Sequence, residues 1–167
     1  MNRTRALALL VLSSCVSSAP PPTAPPARAP ELEYTVELAT KPALEARFSV
    51  SVAAAEDGLS TFKVDESWGG VENGADAILD VRAASSSGKE LPLERLSSHE
   101  WRTRSDPGER VAVSWRVATN EFRTDSDPHV HYRTLLDADL LQFIGHIALL
   151  TPTHLTDVPH AIALRWK

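Results

Sequence analysis

From Tyr34 onward, apolar residues recur at every second position. The clearest case is RVAVSWRVA, residues 110–118, where every second side chain is valine or tryptophan, and RFSVSVA, residues 47–53, repeats the pattern. Successive side chains of a strand point to opposite faces, so this period predicts half-buried β-strands. Further segments with strand-like patterns are YTVEL, STFKV, ILDVRA, HEWRT and HAIALRW.

Clusters of turn-forming residues separate these segments. They are AEDG at 55–58, GGVENG at 69–74, SSSGK at 85–89 and SDPG at 105–108. Glycine, proline, aspartate and serine each favour turn conformations, and many short strands divided by such turns are typical of an antiparallel sandwich. The fold class predicted is therefore all-β, an antiparallel β-sandwich.

One segment departs from the alternating pattern. LLDADLLQFIGHIALL, residues 135–150, is longer and more apolar than the others, and Gly145 interrupts it. Its spacing fits a helical turn around Leu136 to Leu141, followed by a buried strand. We therefore expect one short helix near 135–142 in an otherwise all-β domain.

The N-terminus has the pattern of a secretory signal. Two arginines in MNRTR precede the seven-residue apolar run Ala6 to Leu12, and two serines follow it. A helix needs about 20 apolar residues to cross a bilayer, so this run is too short to remain as a membrane span. We interpret residues 1–14 as a signal peptide that is cleaved from the chain.

The only cysteine of the chain, Cys15, follows this signal directly. The order leucine, small residue, small residue, cysteine resembles the lipobox of bacterial lipoproteins, in which the thiol is acylated and the cysteine becomes the mature N-terminus. This resemblance predicts lipidation of Cys15. The alternative is an ordinary signal peptide cut nearby, after Ala19 or later, with Cys15 discarded; in both cases the mature protein leaves the cytoplasm.

An alanine- and proline-rich segment follows the cysteine. Residues 16–30, VSSAPPPTAPPARAP, contain six of the twelve prolines of the chain. Such a sequence favours an extended polyproline conformation of about 3.1 Å per residue, which would place a domain roughly 45 Å from a membrane. We interpret residues 15–33 as a tether and residues 34–167 as the folded domain; the alternative is an unstructured leader without a spacing role.

Together these features predict a lipid-anchored protein of the bacterial cell envelope. In many bacterial lipoproteins an aspartate directly after the cysteine resembles a signal for retention in the inner membrane. This chain has Val16 at that position, so we expect the protein in the outer membrane. Without residues 1–14, fifteen lysines and arginines face twenty-two aspartates and glutamates, a formal charge of −7 compared with −5 for the whole chain. This acidic balance argues against nucleic acid as a partner and against electrostatic binding to anionic lipids.

A weak metal-site candidate lies in HVHYR. On a strand, His129 and His131 would point to the same face and could share a zinc or copper ion. A site needs at least a third ligand, for which Asp125, Asp127 and His146 are candidates. The alternative is that the two histidines lie in solvent where a strand begins. The sequence has no cluster of Cys and His residues with metal-ligand spacing, which favours this alternative, so we expect no cofactor.

Catalytic motifs are missing from the sequence. There is no Gly-x-Ser-x-Gly and no glycine-rich phosphate loop, and HEWRT has Thr103 where the second histidine of His-Glu-x-x-His would stand. No catalytic residue is therefore predicted. The four tryptophans could line a peptide or sugar groove, but three lie in strand segments, which favours core packing: Trp68, Trp101, Trp115 and Trp166.

The order of these segments resembles that of a known domain. The chain has a Tyr-x-Val strand followed by a proline, then RFSVSV, a glycine turn leading to HEWRT, and the strand VAVSWRV. Its most specific part is LLDADLLQFIGHIALLTP. Together these segments, from Tyr34 to Lys167, resemble the N-terminal β domain of the glycyl aminopeptidase family of metallopeptidases. The residues that carry the resemblance are Tyr34, Val36, Pro42, Leu136, Asp137, Phe143, Gly145, Leu149 and Leu150.

The resemblance implies a non-catalytic module, because in the family a helical zinc domain with His-Glu-x-x-His follows the β domain. The family's Pro-x-Trp-x-Pro-Gly-Ser-Tyr loop, which lies near that zinc domain, corresponds to VDESWGGVENGAD, residues 64–76, where Trp68 is kept but the prolines and tyrosine are lost. Expected partners are the membrane, through the lipid, and a peptidase catalytic domain or other envelope protein. The alternative is a stand-alone envelope lipoprotein that binds a protein, peptide or glycan.

Overall fold

The structure is a computed structural model that describes residues 32–39, 44–118, 134–137, 140–155 and 158–166. The predicted signal peptide, residues 1–14, lies outside the described residues, as does most of the predicted tether. Strand β1 begins at Leu32, two residues inside the predicted tether 15–33, because Leu32 is fully buried and pairs with His160. No helix among the described residues is long and apolar enough to cross a membrane.

Short strands make up most of the described chain. A 3₁₀ turn at Gly74–Ala77 and the four-residue helix α1 at Gly145–Ala148 interrupt them. The strands are β1 Leu32–Ala39, β2 Glu45–Ala53, β3 Leu59–Lys63, β4 Ile78–Ser85, β5 Glu90–Leu91, β6 Leu93–Arg95, β7 Glu100–Arg104, β8 Arg110–Val117, β9 Leu135–Asp137, β10 Leu140–Gln142, β11 Thr151–Pro152 and β12 His160–Trp166.

These strands form a large sheet, a smaller sheet and a ribbon. The large sheet has the order β12-β1-β2-β8-β4-β5, the smaller one has the order β11-β3-β7-β6, and β9 pairs with β10. Among the strand pairs described, β1 with β12 is the parallel one, and the others are antiparallel. The predicted all-β sandwich is confirmed.

The alternating residues of the sequence form the core between the two sheets. Phe48 of β2 is the register partner of Val36 in β1 and of Trp115 in β8, so one row of large side chains crosses the large sheet. Phe62 and Trp101, a register pair of the smaller sheet, join the same buried cluster. Burial of this shared apolar face is the main favourable contribution to folding.

The predicted helix near 135–142 is wrong in its position. Residues 135–137 and 140–142 are strands β9 and β10, which pair with each other, while the helix lies further along the chain at Gly145–Ala148. The hairpin buries Leu136 but leaves Leu140 half exposed, whereas α1 buries Ile147 and Ala148. Short apolar runs carry too little periodicity to distinguish these arrangements, so tertiary contacts decide the outcome.

Two buried side chains of the large sheet hold the segment around α1 in place. The indole Nε1 of Trp115 donates a hydrogen bond to the carbonyl oxygen of Ala148 at 2.8 Å. The hydroxyl of Tyr34 donates to the carbonyl oxygen of Leu150 at 3.2 Å. Both side chains are about 1% exposed, so water does not reach these hydrogen bonds. The two buried bonds therefore fix the segment to the core.

Candidate functional site

A cleft of about 470 Å³ opens where α1 meets both sheets. Strands β1 and β12 of the large sheet, strands β3 and β11 of the smaller sheet, and α1 all contribute side chains to it. Clefts of roughly 300–1,000 Å³ that combine apolar walls with a few polar groups are the usual form of small-ligand sites. Its lining residues are Tyr34, Lys63, Val64, Asp65, Gly145, His146, Leu149, Thr151 and His160.

His146 is held at the rim of this cleft by two contacts. Its Nδ1 lies 2.8 Å from a carboxylate oxygen of Asp65, and its ring stacks on the indole of Trp68 at 5.5 Å between centroids and 7° between planes. A carboxylate next to Nδ1 accepts a hydrogen bond from the N–H at that position and so favours the tautomer with the proton on Nδ1. In that tautomer Nε2 of His146 carries the lone pair and is a hydrogen-bond acceptor, and it has no partner among the described residues.

The indole of Trp68 stands on a tight hairpin. Trp68 and Val71 exchange both backbone hydrogen bonds, at 3.1 and 2.9 Å, across Gly69 and Gly70. These glycines have φ angles of 59° and 84°, and a two-residue turn with positive φ at both central positions favours glycine. Val71 is 1% exposed, so it anchors the hairpin in the interior.

The segment that carries Asp65 and Trp68 is locked against α1. The backbone N–H of Asp65 donates to the carbonyl oxygen of His146 at 2.9 Å. Further on, Gly74 packs so closely on the helix that a Cβ atom there would lie 2.9 Å from Cγ2 of Ile147. The backbones that carry Asp65 and His146 are therefore held together by the fold, while the side chains of these two residues are 47% and 61% exposed.

Basic groups line the opposite side of the cleft. Lys63 lies on β3, and no described residue forms an ion pair with it. His160 begins β12, and its ring meets the ring of Tyr34 edge-on at 6.0 Å. The carboxylate of the lining, Asp65, is engaged by His146, so Lys63 is the cationic donor of the cleft that no described carboxylate pairs with.

A second cleft, of about 360 Å³, lies on the smaller sheet. Arg102 lines it and already pairs with Glu94 at 2.8 Å across the sheet. Two arginines, Arg102 and Arg104, line this second cleft, and the ion pair already engages the first of them. The cleft beside α1 is therefore the better candidate for a binding site.

Burial raises the pKa of the Tyr34 hydroxyl above its ordinary value of 10.0, and a hydrogen bond with the side chain of Thr151 has a smaller effect in the opposite direction. Desolvation disfavours the phenolate, so the folded state keeps the hydroxyl protonated. A group with a raised folded-state pKa contributes stability that is complete below its unfolded pKa and is lost as the pH rises through the folded pKa.

We expect the Tyr34→Phe variant to be less stable than the wild type at neutral pH by about 1 kcal/mol, because it loses the hydrogen bond to Leu150. Above pH 10 this difference should narrow, since only the wild type has this buried phenol to ionise. Urea unfolding of both proteins at about pH 8 and about pH 11 measures the change. A stability difference that stays constant between these pH values would contradict the assignment.

The residues singled out from the sequence lie largely elsewhere. Cys15, His129 and His131 are outside the described residues, so the lipidation and metal predictions on them stay predictions. His146, weighed as a third metal ligand, is bound to Asp65 and Trp68. In the part of the chain that the structure describes, no three or more His, Cys, Asp or Glu side chains are grouped so that they could hold a metal ion.

The tryptophans divide as their sequence positions suggest. Trp101 and Trp115 are buried in the core, which confirms the packing interpretation for them, whereas Trp68 is partly exposed beside the cleft. For Trp166 the structure describes the backbone, as part of β12, but not the side chain. Sequence reasoning missed Lys63, Asp65 and His160 as cleft residues, and no local motif marks them, because the cleft forms only when distant strands meet.

The fold is that of a β domain found in a peptidase-related protein. The structure is similar to the crystal structure of an aminopeptidase N family protein from Idiomarina loihiensis, with a TM-score of 0.64 and 18% sequence identity. The similarity covers 81% of this chain and 22% of that chain, so this chain spans about a fifth of that protein. A search of curated proteins finds no match.

The family model of the peptidase M61 N-terminal domain matches residues 33–167. This match covers far more than half of the chain, and the chain therefore belongs to this family. The resemblance drawn from the strand order and from the segment around Phe143 and Gly145 is confirmed as that of an N-terminal β domain associated with peptidases.

Proposed function

We propose that this chain is a non-catalytic β module of the peptidase M61 type, which acts by associating with a zinc peptidase catalytic unit and does not itself cleave peptides. The match of residues 33–167 to an N-terminal domain family carries the proposal. In this proposal hydrolysis comes from the other unit, which would supply the three protein ligands and the bound water that zinc peptidases use.

The first test is the chemistry of the purified 167-residue protein. We expect no stoichiometric zinc after incubation with the metal and dialysis, and no hydrolysis of glycine p-nitroanilide above the buffer rate. Metal analysis and absorbance of the released nitroaniline measure both. If zinc is retained, the double variant His129→Ala/His131→Ala shows whether that pair holds it. Aminopeptidase activity that a chelator abolishes would contradict the proposal.

We further propose that the module is held in the cell envelope, at the outer membrane, by a lipid on Cys15. The charged start, the seven-residue apolar run and the two small residues before Cys15 support this, as does the proline-rich segment 16–30. A single cysteine is of no use for an internal disulfide, whereas it suffices as an attachment point.

Membrane retention should depend on Cys15. In the producing bacterium, we expect the wild-type protein in the detergent-extractable outer-membrane fraction and the Cys15→Ser variant in the soluble fraction, because a lipid supplies the affinity for the bilayer. Immunodetection after separation of the two membranes measures the distribution, and Ser17→Ala is the matched control that should stay with the wild type. A Cys15→Ser protein that remains in the membrane would refute the anchor.

The cleft beside α1 favours a second candidate function, a stand-alone envelope lipoprotein that binds a protein, peptide or glycan. The stacked pair Trp68 and His146 is the specific feature behind it. The two candidates differ in what is required: the stand-alone protein binds its ligand without a catalytic unit, whereas the accessory module acts through one. Co-purification of a peptidase with the envelope-bound protein would favour the accessory module.

A further inference from the structure

We propose that the cleft beside α1 binds a carboxylate that is joined to a short apolar group. The C-terminal end of a peptide and a free aliphatic acid share this chemistry. The inference goes beyond the proposed function and does not rest on it, since it concerns a site within this domain alone.

The polar groups of the cleft select an anion. Lys63, His146 and His160 line it, and the carboxylate of Asp65 is already engaged with His146. The ammonium of Lys63 and the imidazole of His160 are therefore the groups that can donate to a ligand, within a chain whose formal charge is −5. Charge-assisted hydrogen bonds from such donors to a carboxylate are roughly twice as strong as neutral ones.

The rest of the lining selects an apolar group next to the charge. Val64 and Leu149 contribute aliphatic surface, and the buried ring of Tyr34 closes one side. The volume of about 470 Å³ suits a ligand of one or two residues. A bare inorganic anion would leave the apolar walls uncovered.

The site is preorganised. His146 is fixed by Asp65 and by Trp68. The segment behind it is fixed by the hydrogen bonds of Trp115 to Ala148 and of Tyr34 to Leu150. A ligand therefore has little protein structure to order when it binds, and the affinity lost to ordering is small.

The test is a titration of the full chain carrying Cys15→Ser, so that no lipid is present. The probes are N-acetyl-alanyl-leucine with a free carboxylate, the same dipeptide amide, and hexanoate. We expect the free acid to shift the imidazole resonances of His146 and His160 in NMR spectra and to bind about tenfold more tightly than the amide. Tighter binding of the dipeptide acid than of hexanoate identifies a peptide end, and the reverse identifies an aliphatic acid.

Lys63→Met keeps the aliphatic stem but removes the charge, and it should weaken binding of the free acid about tenfold. Lys89→Met is the matched control, because Lys89 lies in the turn between β4 and β5 and does not line the cleft; its affinity should equal that of the wild type. Equal affinities for acid and amide, unperturbed His146 and His160 resonances, or a Lys63→Met variant that binds like the wild type would each overturn the proposal.

Discussion

Replacing Trp115 with alanine is expected to lower the free energy of unfolding by about 3–5 kcal/mol, the largest loss in the domain. The indole is 1% exposed, stacks on Phe48 at 6.0 Å between ring centroids, and donates a hydrogen bond to the carbonyl oxygen of Ala148. Alanine would leave a cavity between the sheets and a buried carbonyl without its partner. Urea unfolding followed by circular dichroism measures the loss.

Two further variants separate the causes of this loss. Trp115→Phe keeps an aromatic ring but loses the indole N–H. We expect its free energy of unfolding to fall by about 1–3 kcal/mol, because the ring is smaller and the carbonyl of Ala148 is left without its partner. Ala112→Ser lies on the same strand with its side chain exposed, and it should change stability by less than about 0.5 kcal/mol. A loss below about 1 kcal/mol in Trp115→Ala would show that this side chain is not part of the rigid core.

Gly58→Ala should be more damaging than the same substitution at Gly108. Gly58 has a φ of 72°, where a Cβ atom costs about 1–2 kcal/mol. A Cβ there would also lie 2.5 Å from the carbonyl oxygen of Ser105, a backbone atom whose residue is hydrogen-bonded to Gly58. Moving that backbone adds a cost of the size seen for overpacking, so we expect a total loss of about 2–4 kcal/mol in urea unfolding.

Gly108 provides the matched control for Gly58. Its φ is also 72°, but a Cβ atom would meet nothing within 4 Å. Gly108→Ala should therefore lose only the conformational part, about 1–2 kcal/mol. If both substitutions cost the same, the contact with Ser105 has no energetic weight and the prediction for Gly58 fails.

The strands were predictable from the sequence wherever one face is buried and the other is solvated. Val111, Val113 and Trp115 alternate with smaller or polar residues because the core faces one side of β8. The turns were predictable for a similar local reason: Gly58 and Gly108 occupy positions with positive φ that glycine adopts at little cost.

The pairing of distant strands was not predictable in this way. The alternation of apolar and polar residues shows which face of a strand is buried, but it does not show which strand is the neighbour. The parallel pairing of β1 with β12 could therefore not be inferred from it. The segment 135–142 was assigned to a helix because its leucines fit either period, and the contact of Leu136 with the core selects the strand.

The cleft was the least predictable part. His146 and Asp65 are 81 positions apart, and Lys63 and His160 come from different sheets. No motif of fixed spacing connects such residues, so only the folded chain shows that they share a site. Trp68 did draw attention in the sequence, but its stacking on His146 could not be inferred.

The parallel pairing of β1 with β12 also determines when the sheet can be completed during synthesis. β1 is the first described strand to be made and β12 is the last. Until His160–Trp166 has left the ribosome, one edge of β1 has no neighbour, and an open strand edge pairs readily with other chains. A chain cut before His160 would leave β1 as the edge of the large sheet, whereas in the folded domain β12 occupies that edge.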